Sequence, residues 1–274
     1  MKIGIIGADG SMGRHVGRLA LDDESIEITC AFTEEGSQNV GTDIGTLVGR
    51  KETGITLKEV TKLEKVLEKS TPDVVIDFTI APATEKNAPL VISNGIHMVI
   101  GTTGLSRDFE NSLPDLAKKH DAAIMLASNM AVGMNIFMNL VEHVAGLLDG
   151  WDIEIIEAHH HRKRDSPSGT ALTLANRIAN AIERKLENIA KYGRGRGSNP
   201  REIGAGEIGI HAIRAGDIVG DHTVLYAGDG ERIELTHRAH DRSCFASGAI
   251  RAAKYVNGDG LKPGVYSMKD VLGL

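Results

Sequence analysis

Five short apolar runs in the first half of the chain predict buried strands, at 2–6, 26–32, 74–78, 97–100 and 122–126. The stretches between them carry apolar residues at helical spacing and predict helices from 11 onward, at 63–68 and at 83–93. Strands that alternate with helices are typical of a parallel, doubly wound sheet with helices on both faces. The first half of the chain is therefore predicted to be an α/β domain.

The pattern changes after Asn129. Further helices are predicted at 132–148, 170–189 and 245–255, and further strands at 151–157, 208–212, 223–227 and 233–239, the last three antiparallel. The polar, glycine-rich stretch 190–206 is predicted to be a loop. These patterns predict two domains, one made of 1–129 with 241–274 and one inserted between them at 130–240.

The composition is that of an ordinary globular protein. Hydrophobic residues make up 41% and charged residues 25%, which excludes a disordered or fibrous chain. A net charge of −6 argues against general nucleic-acid binding, and no apolar run is long enough for a membrane span. Cys30 and Cys244 form no disulfide framework, and the N-terminus is unlike a signal peptide, so we expect a cytoplasmic protein.

A glycine motif follows the first predicted strand and opens the first predicted helix. Gly7, Gly10 and Gly13 recur at every third position. This spacing lets the backbone turn tightly, approach a pyrophosphate and direct helix N–H groups at it. The strand before the motif and the helix after it favour nucleotide binding over a glycine-rich turn without a ligand.

The end of the second predicted strand is where an acidic residue binds the ribose of NAD. Thr33, Glu34 and Glu35 stand there, and no Lys or Arg is adjacent to offset the charge. A carboxylate at this place accepts from ribose hydroxyls and repels a 2′-phosphate, so the sequence favours NADH over NADPH. The segments 77–79 and 101–104 follow two other strands and are expected at the same edge of the sheet, where they can contact a nicotinamide.

The segment 157–171 carries the strongest chemical signal in the chain. Six consecutive residues, 159–164, are His, Arg or Lys, although the net charge is negative. They follow a predicted strand, and residues 168–170 begin a predicted helix whose first N–H groups bind anions. Imidazole, ammonium and a helix N-terminus together predict a pocket for a small carboxylate, with Lys163 able to supply a proton.

Three other interpretations of this basic segment are open. Adjacent histidines converge poorly on one ion and have no Cys or carboxylate partner at zinc spacing, so we predict no metal site. The segment could be a solvated face, or a nucleic-acid patch, although it lacks interleaved aromatic residues. The helix N-terminus beside the segment favours the carboxylate pocket over all three.

Taken together, these motifs resemble the dihydrodipicolinate reductase family over nearly the whole chain. The resemblance rests on the glycine motif, the two strand ends and four further segments, at 127–135, 157–171, 214–220 and 264–272. It implies a reductase that uses NADH or NADPH to make tetrahydrodipicolinate from a small dicarboxylate in the diaminopimelate route to lysine. It also implies a Rossmann-like nucleotide domain and an inserted α+β substrate domain whose open mixed sheet builds a homotetramer.

The resemblance also implies roles for individual residues. His159 corresponds to the family's acid/base and Lys163 to its proton donor. The residues implied to hold the dicarboxylate are His160, Ser168, Gly169 and Thr170. The residues that the resemblance implies to contact the nucleotide are Gly7, Gly10, Met12, Gly101, Thr103, Ser128, Asn129 and Met130. The glycine motif and the strand ends add Ser11, Thr33, Glu34, Phe78 and Thr102 as candidate nucleotide residues.

Two departures from the family's pattern bear on the cofactor. Ser11 stands where an Arg is frequent, which removes a phosphate contact, and Thr33-Glu34 replaces an acid-then-basic pair. Both changes favour NADH. Two other functions stay open. A semialdehyde dehydrogenase would need an activated cysteine, for which Cys244 has no motif, and a nucleotide-sensing binding protein would have no use for Lys163.

Overall fold

The structure is a computed structural model of the 274-residue chain and describes residues 1–202 and 206–274. The α-helices of the described residues are α1 (Ser11–Leu21), α2 (Ile44–Leu47), α3 (Leu63–Ser70), α4 (Ala81–Ser93), α5 (Arg107–Lys119), α6 (Val132–Leu147), α7 (Gly169–Ala181), α8 (Leu186–Ile189), α9 (Ser243–Val256) and α10 (Met268–Leu272). The strands are β1 (Lys2–Ile6), β2 (Glu27–Thr33), β3 (Lys58–Glu59), β4 (Val74–Asp77), β5 (His97–Ile100), β6 (Ala123–Leu126), β7 (Asp152–His159), β8 (Ala190–Tyr192), β9 (Ile208–Arg214), β10 (Gly220–Gly228), β11 (Glu231–Ala239) and β12 (Gly264–Tyr266). Not one of the helices among these residues is long and apolar enough to cross a membrane.

Residues 1–132 and 242–274 form one compact unit around a parallel sheet. Its strand order is β12-β6-β5-β4-β1-β2-β3, and every neighbouring pair is parallel. The order reverses at β1, so the loop after β1 lies at the topological switch point, where open α/β sheets bind ligands. The α/β prediction is confirmed. The sequence missed β3 and β12, because strands of two and three residues carry no apolar run.

Apolar side chains fill both faces of this sheet. On β1, Ile3 and Ile5 are buried with residues of α1 and α9, and Ile6 is buried with residues of α3, α4 and α5. Successive side chains of a strand point to opposite faces, which is why a strand covered on both sides is apolar throughout. The five predicted strands were visible in the sequence for this reason.

Residues 133–241 form the second compact unit, around a mixed sheet. Its order is β11-β10-β7-β9-β8, with β10 antiparallel to β7 and β11, and β9 parallel to β7 and β8. The predicted antiparallel placing of 208–212 is therefore wrong. The chain between β7 and β9 passes through α7, and a helical crossover of this kind returns a strand in parallel. The mixed α+β sheet itself is confirmed.

Two further expectations in this unit need correction. The helix predicted at 170–189 is interrupted, because α7 ends at Ala181 and Glu183 takes a left-handed conformation with φ of 56°. The loop predicted at 190–206 begins with β8, whose residues pair with β9, and residues 203–205 of that loop lie outside the described chain. Three residues of mixed polarity give no strand signal of their own.

The two faces of the mixed sheet differ. On β7 the alternate residues Ile153, Ile155, Glu157 and His159 are buried. The hydroxyl of Tyr226 on β10 lies on this face and donates to the carbonyl of Val141 at 2.6 Å, which ties α6 to the sheet. The opposite face is more open, with apolar residues such as Ile156 and Ile213 exposed.

Candidate functional site

The glycine turn has the geometry that the motif requires. Gly7 takes φ of 74°, which disfavours any residue with a side chain. A Cβ on Gly13 would lie 2.1 Å from the carbonyl oxygen of Gly7, so α1 packs directly on the turn only because this position is glycine. No side chain caps the N-terminus of α1. The N–H groups of its first turn are therefore available to an anion.

A cavity of about 320 Å³ lies beside the glycine turn in this unit. Thr33 and Glu34, at the end of β2, line one side of it, and Phe78 and Thr79 line another. Thr33 is buried, and its hydroxyl has no hydrogen-bond partner. Glu34 is exposed. An orphaned buried hydroxyl and a carboxylate beside a glycine turn fit the ribose of a dinucleotide.

The ends of β4 and β5 are joined by a chain of buried polar groups. The carboxylate of Asp77 accepts from the N–H and hydroxyl of Thr79, at 2.8 and 2.7 Å. The hydroxyl of Thr84 lies 3.1 Å from that of Thr79 and donates to that of Thr102 at 2.8 Å. Burial raises the pKa of Asp77. The Thr102 side chain is thus engaged within the protein, while Thr103 beside it is exposed.

The remaining predicted nucleotide residues take different places. A Cβ on Gly101 would lie 2.1 Å from the ring of Phe78, so these two positions pack as a unit. Ser128 is exposed, and the side-chain Oδ1 of Asn129 accepts from the N–H of Ala131 at 3.0 Å. Two other side chains, those of Met12 and Met130, pack in the hydrophobic core.

A cation that the sequence analysis missed lies at the start of α1. The guanidinium of Arg242 donates to the hydroxyl of Ser11 at 2.8 Å, across 231 positions of the chain. The sequence analysis treated Ser11 as the loss of a phosphate contact. The fold brings an arginine to this residue from a distant segment, which no local motif could indicate.

The basic segment of the second unit surrounds a buried carboxylate. Glu157, on β7, is fully buried, and Arg214 on β9 donates to both of its oxygens at 2.8 Å. The N–H of Ser168 donates to Glu157 Oε1 at 3.0 Å. Burial raises the pKa of Glu157, but the hydrogen bonds from Arg214, His159 and Ser168 outweigh it and lower the pKa below its ordinary value. The carboxylate is therefore ionised.

His159 is fixed by this carboxylate. Its Nδ1 lies 2.6 Å from Glu157 Oε2, a distance typical of a charge-assisted hydrogen bond. An ionised carboxylate only accepts, so Nδ1 carries a proton, and Nε2 is the ring atom left to exchange one. The carbonyl of His159 accepts from the N–H of Ala215 at 2.9 Å, which holds the end of β7 against the turn after β9.

Lys163 lies beside a second carboxylate. Its Nζ is 2.8 Å from Asp165 Oδ1. The hydrogen bond from Lys163 lowers the pKa of Asp165, and a backbone hydrogen bond from Gly169, at the start of α7, adds to this. One carboxylate is thus held by an ammonium and a helix N-terminus. Gly169 was predicted to hold a substrate carboxylate, and Lys163 to supply a proton.

Ser168 connects the start of α7 to a further histidine. The Ser168 hydroxyl caps α7 by accepting from the N–H of Ala171 at 3.2 Å, and it also lies 3.2 Å from Nε2 of His222 on β10. The ring of His222 meets that of His159 edge-on, with centroids 5.2 Å apart. Burial and then the neighbouring His159 lower the pKa of His222 to about 3, so this ring is neutral.

Four residues of this cluster were not predicted from the sequence: Glu157, Asp165, Arg214 and His222. Glu157 and Asp165 lie within the basic segment, and Arg214 opens a motif used for the resemblance, so position in the sequence was a usable signal for these three. His222 lies outside every motif. Within the part of the chain that the structure describes, no group of three or more His, Cys, Asp or Glu side chains could hold a metal ion.

The comparisons with known proteins agree along the whole chain. Residues 1–130 match the family model described as dihydrodipicolinate reductase, N-terminus, and residues 133–272 match the model described as dihydrodipicolinate reductase, C-terminus. The 4-hydroxy-tetrahydrodipicolinate reductase of Methanocaldococcus jannaschii is 42% identical, covering 100% of this chain and 98% of the relative. The enzyme of the same name from Neisseria meningitidis is 43% identical, with the same coverage.

A solved structure gives the same result for the fold. The dipicolinate-bound dihydrodipicolinate reductase from Paenisporosarcina superposes with a TM-score of 0.76 at 23% identity, and the match covers 97% of each chain. An amine dehydrogenase from Mycobacterium smegmatis superposes with a TM-score of 0.62 at 14% identity, covering 97% of this chain and 94% of that one. At these identities the likeness concerns the fold alone.

Proposed function

The chain belongs to the dihydrodipicolinate reductase family, and from this premise we propose how its own residues carry out the family's reaction. The activity is the reduction of 4-hydroxy-tetrahydrodipicolinate in lysine and diaminopimelate biosynthesis, with a pyridine nucleotide as cofactor. The conversion to tetrahydrodipicolinate takes up a hydride and a proton and releases water. The protein must therefore bind two anionic molecules and supply one proton.

In this proposal the first unit holds the nucleotide. The N–H groups at the start of α1 bind the pyrophosphate, and the guanidinium of Arg242 beside Ser11 adds a positive charge at the same end of the helix. Gly101 and Thr103, at the end of β5, face the nicotinamide with Asn129. When bound, the reduced nicotinamide supplies the hydride.

NADH is the proposed cofactor in preference to NADPH. Glu34 follows Thr33 at the end of β2, and both line the cavity beside the glycine turn. The residues that line this cavity include no Lys or Arg. A 2′-phosphate would meet a carboxylate without a compensating cation, whereas a 2′-hydroxyl could donate a hydrogen bond to it.

The Asp165 carboxylate is the single observation that carries the substrate site. Lys163 already binds this carboxylate, beside the start of α7, so the position is suited to the charge of a substrate carboxylate. We propose that Lys163, Gly169 and Thr170 bind one carboxylate of the substrate. This carboxylate displaces Asp165 from Lys163. His160 and Ser168 contact the second carboxylate in this proposal.

The proton is supplied from the same segment. Glu157 keeps a proton on Nδ1 of His159, so protonated His159 can release only the proton on Nε2. Arg214 balances the charge of Glu157 and leaves its carboxylate ionised throughout. Lys163, whose ammonium pairs with Asp165, is the second proposed proton donor. The ammonium would quench the charge that develops on the reduced ring.

We also propose that the protein is a homotetramer assembled through the open face of the mixed sheet. Ile156 on β7 and Ile213 on β9 are exposed on that face, where cross-strand pairing places Ile213 beside Ala158. Neighbouring apolar side chains on one sheet face gain free energy when a second sheet covers them. We place the tetramer in the cytoplasm, in keeping with a sequence whose two cysteines give no disulfide framework.

Steady-state assays test the assignment directly. The substrate is generated in situ from pyruvate and aspartate semialdehyde by the synthase that precedes this step, and oxidation of NADH and of NADPH is followed by absorbance. We expect turnover with both nucleotides and a higher kcat/KM with NADH. A protein that binds the nucleotides, binds dipicolinate and yet turns over with neither nucleotide would overturn the proposal.

A further inference from the structure

Asp9, the third residue of the glycine motif, is tied to the loop that follows β2. Its Oδ2 accepts from the hydroxyl of Ser37 at 2.8 Å and from the side-chain amide of Asn39 at 3.0 Å. Neither bond is predicted by the glycine motif, in which the second and third positions are variable. The bonds fix the Asp9 side chain on the side of the turn that faces the end of β2.

The Asp9 carboxylate is negatively charged in this position. Burial raises its pKa, but the polar side chains of Thr33, Asn39 and Ser37 lower it by more, so the pKa lies below the ordinary value. Arg14 of α1 donates to the main-chain carbonyls of Asp9 and Leu47. Because both of these bonds go to main-chain carbonyls, the Arg14 guanidinium does not pair with the Asp9 carboxylate.

Asp9 and Glu34 line the same cavity of about 320 Å³. Thr33 lines this cavity between the glycine turn and the end of β2. Two carboxylates therefore face the space that the proposed function gives to the ribose. Glu34 is exposed and can swing into solvent, whereas Asp9 is held by two hydrogen bonds.

We propose that Asp9 is the fixed residue that sets the cofactor preference, by accepting from a ribose hydroxyl and repelling a 2′-phosphate. The inference rests on the proposed binding of a pyridine nucleotide in this unit and names the residue responsible for discrimination. A restrained charge discriminates more sharply than a mobile one, because it cannot move away from the phosphate. The exposed carboxylate of Glu34 adds to the negative charge at this cavity.

The alternative role for Asp9 is purely structural, as an anchor for the loop at 34–39. Two variants distinguish the structural role of Asp9 from its role in discriminating between the nucleotides. Asp9→Asn removes the charge and keeps a side chain that can still bond to Ser37. The double variant Ser37→Ala/Asn39→Ala removes the anchor and keeps the charge. If Asp9 discriminates by charge, Asp9→Asn changes the ratio of the two nucleotide affinities most. The double variant keeps the charge but releases it, so it changes the ratio by less.

Equilibrium titrations of the full chain with NADH and with NADPH measure this ratio without turnover. We expect the wild-type chain to bind NADH more tightly, and Asp9→Asn to lower the ratio Kd(NADPH)/Kd(NADH) by about tenfold. The double variant should lower the ratio by less than Asp9→Asn does, because the charge remains but is no longer held in place. An unchanged ratio in Asp9→Asn, or an equal change in the double variant, would overturn the role of Asp9.

A salt series on the wild-type chain gives a second measurement that needs no variant. Added salt screens charge repulsion, so the ratio Kd(NADPH)/Kd(NADH) should fall as ionic strength rises. A ratio independent of salt would count against a charge effect. Equal wild-type affinities, with a ratio that still falls in Asp9→Asn, would overturn the proposed NADH preference but retain the role of Asp9. Failure to bind either nucleotide would overturn both.

Discussion

His159 and Glu157 lie two positions apart on β7, and His159 Nδ1 is 2.6 Å from Glu157 Oε2. Residues two apart on a strand point to the same face, so the strand alone brings the imidazole and the carboxylate together. Arg214, on the neighbouring strand, donates to this carboxylate and offsets the free-energy cost of burying its charge. The pair ties the proposed proton donor to the interior of the sheet.

Glu157→Gln should lower kcat with little change in nucleotide affinity. The amide can donate as well as accept, so Nδ1 of His159 is no longer held as the protonated atom, and we expect kcat to fall about 10- to 100-fold. The partly buried Arg214 also loses its counter-ion, which should lower the free energy of unfolding by about 2 to 3 kcal/mol. Steady-state kinetics and urea unfolding measure the two effects.

Glu154→Gln is the matched control for this substitution. Glu154 lies on the same strand and also contacts a histidine, with Oε2 2.7 Å from Nε2 of His211, but on the opposite face of the sheet. We expect kcat to be retained. An equal loss of kcat in both variants would show that the effect of Glu157→Gln does not come from His159.

Lys163→Met should lower kcat more than it raises KM. The ammonium contact strengthens as charge develops on the ring, so its loss weakens the transition state more than the bound substrate, by about 100-fold in kcat. Titration with NADH should show unchanged affinity, because Lys163 belongs to the other unit. A variant with wild-type kcat would remove Lys163 from the proposed chemistry.

Asp165→Asn tests whether this carboxylate occupies the place of a substrate carboxylate. The substitution removes the negative charge that binds Lys163 at 2.8 Å. We expect the Kd of dipicolinate to fall about three- to tenfold, because the probe no longer competes with Asp165. Isothermal titration with the wild-type chain as reference gives the comparison. Weaker binding would instead indicate that Asp165 orients Lys163 for the substrate.

His222 should make the second unit less stable in acid. Its pKa is lowered from 6.5 to about 3 in the fold, so the unfolded chain binds the extra proton first as pH falls. The stability that the neutral ring contributes is complete above about pH 6.5 and is lost towards pH 3, with a slope of up to about 1.4 kcal/mol per pH unit. Urea unfolding across this range, followed by the fluorescence of Trp151, measures the slope.

His222→Phe should reduce that slope and keep the packing against His159. The variant also loses the contact with Ser168, so KM should rise more than kcat falls. His143→Gln, at an exposed position on α6, is the control and should leave the slope unchanged. A slope that persists in His222→Phe would assign the acid sensitivity to another group.

Ile213→Glu should dissociate the proposed tetramer. The residue is 47% exposed on the open face of the mixed sheet, and a carboxylate there would have to be desolvated on assembly. Analytical ultracentrifugation should show a smaller species than wild type. Leu147→Glu, at a residue that is 69% exposed on α6, should leave the assembly intact. Dissociation by the control alone would place the interface elsewhere.

Most of the longer strands and helices followed from local pattern. β1, β2, β4, β5 and β6 were all visible, because a strand buried on both faces must be apolar along its length. The hydrophobic pattern failed to predict elements that are stabilised mainly by contacts with residues distant in the sequence. β8 forms only because β9 offers it a free edge, and the parallel direction of β9 depends on the helix that precedes it.

The chemistry divides in the same way. The glycine spacing, the basic segment and the start of α7 are each local features of the chain. The sequence by itself therefore indicated which segments are candidates for ligand binding and what class of ligand suits each. The pairing of Arg242 with Ser11, of Arg214 with Glu157 and of His222 with Ser168 joins residues tens to hundreds of positions apart. Only the tertiary structure decides such pairs, because they depend on which strands and helices become neighbours.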